Sequence, residues 1–136
     1  MTSPALRARY LTDSVSTASP ARMLVMLYDR LVLDLAHAET ALRAGDRESG
    51  SARAQHAQEI ILELRASLDL TAWDGADGLA QIYDFLLTEL IGANVAGDAD
   101  RIAAAKALVT PLAQAWREAA ASLTAAPGTL ALGAVG

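Results

Sequence analysis

The side chains with the widest chemical reach in this sequence are two histidines, His37 and His56. A di-metal site in a helical bundle needs inward carboxylates on four helices and Glu-x-x-His on two of them. The closest match is Asp34-Leu-Ala-His37, and three residues before His56 stands Arg53 rather than an acid. A phosphate-carrying histidine needs a small residue and a lysine nearby. His56 is instead followed by Ala57, Gln58, Glu59 and Ile60, an acidic and bulky turn that repels and obstructs phosphate. Ser14, Ser16 and Ser19 have no positioned base in the pattern, and neither G-x-S-x-G nor a glycine-rich phosphate loop occurs. There is no cysteine, which removes disulfides, thiolate metal sites and thiol nucleophiles. The reading is of imidazoles on solvated helix faces in a protein that is not an enzyme and implies no metal or cofactor.

Polar groups on apolar faces are the remaining candidates. Tyr28 and Tyr83 occupy core-type positions, and each is followed by an aspartate, Asp29 and Asp84. The favoured expectation is core aromatics whose hydroxyls reach the surface. Asn94 lies on the Leu87–Leu90 face at a helix end, either as a plain last-turn residue or as an amide that bonds an extended backbone. Trp116 is core or groove wall, with core the favoured expectation. Tyr10 is an exposed terminal residue or an anchor that docks the terminus onto the rest.

The elements that must position these residues are helices. Residues 1–18 have no sustained period and read as an arm with isolated apolar anchors, which could hold a short extra helix. Ser19-Pro20 is a strong helix start: serine caps the free N–H groups, and proline loses nothing at the first helical position. Leu24, Leu27, Tyr28, Leu31, Leu35, Ala38 and Leu42 then recur at steps of three and four, until Gly45 ends the helix. On this pattern Leu27 should be buried. The spacing predicts further helices over about 47–68, 78–96 and 99–122. Gly50 falls in the second one's polar approach, and Gly92 in the last turns of the third. Asp98 or Asp100 can cap the fourth, where Pro111 predicts a kink near Val109-Thr110 rather than a break. Residues 124–136 carry Pro127 and several glycines and read as a mobile tail.

Composition agrees. Of 136 residues, 31 are Ala and 21 are Leu, a mixture that loses little entropy in helices and argues against sheet. The expected fold is an all-α antiparallel four-helix bundle with residues 19–123 as its body. The net charge of −5, with no basic cluster, makes nucleic acid an unsuitable partner. The longest strongly apolar run, Met23 to Tyr28, is too short to span a bilayer, and no secretory signal is visible, so a cytoplasmic location is expected. Met23, Met26, Val32 and Leu33 widen the first helix's stripe beyond one seam. A small bundle has little core to receive such a surplus, which must face a second copy, the terminal arms or a partner.

Taken in order, Tyr10, Val15-Ser-Thr17-Ala-Ser19-Pro20, Met23-Leu-Val-Met-Leu27-Tyr28-Asp29, Ile60-Ile-Leu-Glu-Leu64, Ser67-Leu68-Asp69, Ile82-Tyr83-Asp-Phe-Leu-Leu87, Leu90-Ile-Gly-Ala93-Asn94 before Asp98, and Ala115-Trp116 resemble the flagellar secretion chaperone family, FliS. The resemblance covers about residues 10–117. It implies a cytosolic helical bundle that binds the disordered C-terminal segment of flagellin, prevents its premature polymerisation and delivers it to the flagellar type III export apparatus. It leaves room for a co-chaperone or regulator. It also implies an arm that can lie over the binding surface, with recognition at Tyr10 and Val15. The motif positions Leu27, Tyr28, Asp29, Ala93 and Asn94 would carry the binding, with Tyr83, Leu87 and Leu90 beside them. A self-associating bundle without a flagellin client is the alternative. The physical logic is general: a segment that orders on binding loses entropy, and long apolar grooves with adaptable Leu and Met walls offset that loss.

Overall fold

The computed structural model describes residues 19–135, with side chains through Ser122. The arm, with Tyr10 and Val15, lies outside the described residues. Four helices account for nearly all of the rest: α1 (Pro20–Arg43), α2 (Arg47–Ser67), α3 (Ala76–Ala96) and α4 (Ala99–Val135). Each helix packs against its two neighbours, α1 on α2 and α4, and α3 on the same two. That leaves α1 opposite α3, and α2 opposite α4, across the bundle.

The helix starts follow local chemistry. Ser19 Oγ accepts from the Arg22 backbone N–H at 3.2 Å, with Pro20 in the first turn. Asp46 caps α2 through Ser49 N–H at 3.1 Å. Asp98 caps α4, its Oδ1 accepting from Asp100 and Arg101 N–H at 3.0 and 3.2 Å. No side chain caps α3, whose N-cap is Gly75, and it begins two residues earlier than its sequence suggests. Both interhelical turns at the far end use a glycine with positive φ, Gly45 at 82° and Gly97 at 64°. Any other residue would be strained there. The Arg47 guanidinium lies over Gly97 and donates to the Val95 carbonyl at 3.1 Å, which places a cation at the α3 C-terminus.

One expectation changes. Residues 124–135, read as a tail, continue α4 without interruption to Val135. Pro111 does not break α4, as expected, and the Thr110 hydroxyl donates to the Lys106 carbonyl at 2.7 Å. Gly92, near the end of α3, makes room rather than loosening the helix. The Arg101 guanidinium lies where a β-carbon would stand, and it pairs with Glu89 at 3.1 Å.

The core is a stack of Leu, Ile and Ala beneath two tyrosines. Leu31, Leu35, Ala38, Ala54, Ala57, Ile61, Leu86, Leu90, Ala93, Ile102 and Val109 are fully buried. The alanines let the helices approach. Gly50 extends this, since a β-carbon there would stand 2.5 Å from Leu42 Cδ2. One charged residue, Asp34, is completely buried among the described residues. Its carboxylate bonds His56 Nδ1 and accepts from Arg53 Nη1 at 3.4 Å, which joins α1 to α2. His56 thus partners a buried carboxylate while its side chain stays 41% exposed, and His37 is exposed as expected.

A buried carboxylate that loses a hydrogen-bond partner is disfavoured. His56→Ala should therefore lower unfolding stability by about 1–3 kcal/mol. His37→Ala should leave it near wild type. Urea denaturation of the two variants checks this, and equal behaviour would remove His56 from the architecture.

Candidate binding surface

Tyr28 and Tyr83 meet at the centre of the bundle from opposite helices. Their hydroxyls are 2.6 Å apart in a buried hydrogen bond. They do not reach the surface, so that expectation is replaced by a mutual pairing. Burial raises both phenol pKa values above the ordinary 10. In Tyr28, hydrogen bonding with Tyr83 and Trp116 works against the rise, whereas in Tyr83 the bond to Tyr28 adds to it. The Trp116 ring tilts against Tyr28 at 40° with centroids 6.4 Å apart. Trp116 is partly buried and also helps to line a cavity of about 280 Å³ at this end of the bundle, with Leu24, Leu64, Leu68, Trp73, Leu79 and Tyr83. It serves as core and as wall at once.

The remaining motif positions fall into different environments. Leu90 and Ala93 are fully buried, as are Tyr28 and Tyr83 to within 2% exposure. In this state they shape the bundle from inside rather than offering a contact face. Leu27, Leu87 and Asn94 are partly buried, so Leu27 is less enclosed than its period suggests. Asp29 is exposed and forms an ion pair with Arg117, tying α1 to α4.

What lies open on α1 is apolar. Met23, Met26 and Leu33 are 52%, 59% and 46% exposed. They line a groove of about 540 Å³ on the α2 side of α1, together with Leu27, Asp29, Arg30 and Glu63. A second groove, of about 470 Å³, lies on the α4 side between Val32, Leu33, Ala36, Thr110, Ala113, Gln114 and Arg117. Leu33 and Asp29 border both, so α1 stands as a greasy ridge between two troughs. Met26 and Leu33 were visible in the sequence only as a widened stripe. Their exposure follows from Tyr28, Leu31 and Leu35 taking the inward face.

Among the described residues no cluster of three or more His, Asp or Glu side chains could hold a metal ion, and no helix is long and apolar enough to cross a membrane. The architecture is that of an all-α bundle whose chemistry is exposed apolar surface, the class of a protein-binding helical module. Comparison with known proteins then places it. The family model "Flagellar protein FliS" matches residues 2–123, and the chain belongs to that family. Among its relatives is the flagellar secretion chaperone FliS of Bacillus subtilis, 32% identical over 81% of this chain and 82% of the relative. The flagellar secretion chaperone FliS of Salmonella typhimurium is 31% identical over 78% and 80%.

The tyrosine bridge makes a double-variant test. Tyr28→Phe or Tyr83→Phe alone strands the other hydroxyl in the core and should cost about 1–3 kcal/mol. The double Phe variant should recover most of that loss, because neither polar group remains. As pH rises above 10 the unfolded chain ionises first, so the wild-type fold should lose stability there. The double variant should unfold at higher pH, as circular dichroism and phenolate absorbance can follow.

Proposed function

We propose that this protein is a flagellar export chaperone that holds the C-terminal segment of flagellin, prevents its premature polymerisation and hands it to the export apparatus. The observation that carries this reading is the α1 ridge of Met23, Met26 and Leu33, exposed on a bundle whose core is already filled. A folded protein that needs no partner rarely leaves such residues contiguous. Methionine suits a client that arrives without fixed shape, because its unbranched, polarisable side chain adapts to different contacts. Membership of a family whose members are named flagellar secretion chaperones supplies the client class.

Within this reading the motif residues divide their work. Leu27, Leu87, Asn94 and Asp29 border the accessible surface, and Tyr28, Tyr83, Leu90 and Ala93 hold the helices that present it. Tyr10 and Val15 belong to the arm and contribute to recognition of the client. Binding proceeds by folding the client against apolar grooves, with no nucleotide or metal.

Titration calorimetry with the last ~40 residues of the host flagellin should show one-to-one binding with a large negative heat-capacity change, as apolar burial requires. Met26→Asp should weaken that binding about tenfold or more while leaving thermal unfolding close to wild type. Tyr10→Ala should weaken binding in the same way. Absence of any binding by the wild-type protein at micromolar concentrations would reject the reading, and a self-associated state in sedimentation would favour a homo-oligomeric use of the ridge.

A further inference from the structure

All the sulfur in this chain is thioether sulfur. It has no cysteine and three methionines, Met1, Met23 and Met26. Met1 lies outside the described residues. Met23 and Met26 stand three residues apart on α1, so they share one helical face. Both are more than half exposed, and both line the groove on the α2 side of α1 with Leu27, Arg30, Leu33 and Glu63. The core beneath contains neither, its buried positions being held by leucine, isoleucine, valine, alanine and tyrosine. Thioether sulfur is therefore placed on the ridge and kept out of the packing that holds the helices together.

That placement has a chemical consequence. Leucine, which fills the next ridge position at Leu33, is as apolar as methionine, but only methionine can change its polarity after synthesis. A peroxide reaches a sulfur on an open groove wall. The sulfur lone pair attacks one peroxide oxygen, the O–O bond breaks, an S–O bond forms, and the other oxygen leaves as water. The sulfur loses two electrons and the peroxide gains them. The product is a sulfoxide, whose oxygen accepts hydrogen bonds from water. Beneath an apolar client segment that oxygen would give up its water without a partner in exchange, which disfavours the bound state and not the free one. A thiol-dependent reductase reverses the step: two thiols become a disulfide, and the oxygen departs as water.

We propose that Met23 and Met26 form a peroxide-sensitive modification site, whose reversible oxidation to sulfoxides stops the α1 ridge from taking up a client while the bundle stays folded. The client rests on the export-chaperone reading above, whereas the site itself is defined by the two sulfurs. Fold and binding separate because neither side chain belongs to the core. The two sulfurs line one groove, so their oxidation makes one continuous stretch of the ridge polar. Occupancy and oxidation oppose each other. A client lying on the ridge shields both sulfurs, so peroxide acts on the empty chaperone, and the oxidised ridge then admits no client.

The test treats the full chain with hydrogen peroxide, removes the peroxide, and locates the added oxygens by peptide mass spectrometry. Circular dichroism follows the fold, and calorimetry follows affinity for the flagellin C-terminal segment. The wild-type chain should gain one oxygen at each of Met23 and Met26, keep its helical signal, and bind the segment at least tenfold more weakly. Methionine sulfoxide reductases supplied with a dithiol should restore the original affinity. A chain carrying both Met23→Leu and Met26→Leu should show the same affinity before and after peroxide, whatever its starting value. Saturating segment should slow oxygen uptake at both sulfurs of the wild type. The site is overturned if the wild-type chain carrying both sulfoxides binds as tightly as the untreated chain, an outcome that leaves the export-chaperone reading standing. It is equally overturned if the double leucine variant loses affinity on treatment as the wild type does, or if oxidation melts the bundle. Failure of the untreated wild type to bind the segment would instead remove that reading, and the switch with it.

Discussion

A single hydrogen bond between two phenols sets the terms for the rest of this bundle. Helices α1 and α3 are diagonal and share no backbone proximity, so ordinary side-chain packing between neighbours does not fix their relative height. The Tyr28–Tyr83 bond does, because a buried hydroxyl without a partner is disfavoured and only one register brings the two oxygens together. Once that register holds, the leucine and alanine layers below fall level, and the aspartates that follow each tyrosine face an arginine across a helix boundary. The exposed side of α1 follows from the same choice, since Tyr28 pointing inward turns Met26 and Leu33 outward.

Much of this architecture was legible in the chain. Ser19-Pro20 and Gly45 bracket α1 because capping and left-handed backbone are local demands that particular residues meet. The start of α3 was misplaced because its cap, Gly75, makes no side-chain bond, so Asp77 and Gly78 drew attention instead. The continuation of α4 to Val135 was missed because Pro127 and nearby glycines signal an ending, while the structure carries the helix through them. The surface was harder. Helix α1 is apolar on most sides, and periodicity cannot say which of Leu27, Tyr28, Met26 or Leu33 turns inward when all fit one stripe or another. The Asp34–His56 contact joins residues 22 apart on different helices, and only the register of α1 against α2 brings them together.

Polar chemistry in this protein serves mainly to orient apolar chemistry. Asp34, with His56 and Arg53, anchors α2 to α1 from within. Glu39 ties α1 to α4 through Lys106 at 2.8 Å, and hydrogen bonds from Lys106 and Arg43 hold its carboxyl below the usual range. Ion pairs that still touch solvent, such as Glu39–Lys106, contribute little stability individually. Their geometric effect is larger, because each fixes one helix against its neighbour. A core built of leucine and alanine has few features that specify one alignment, and these directional contacts supply the specification.

The two ends of the bundle are built differently. One is closed by the Gly45 and Gly97 turns, stitched by the 3.1 Å Arg43–Asp100 pair and by Arg47 lying over Gly97. At the opposite end α1 begins, the long α2–α3 link passes, and α4 departs beside the aromatic-walled cavity. Dyes placed on the glycine-turn end would sit remote from it, which makes that end the natural attachment point for surface immobilisation or distance measurements.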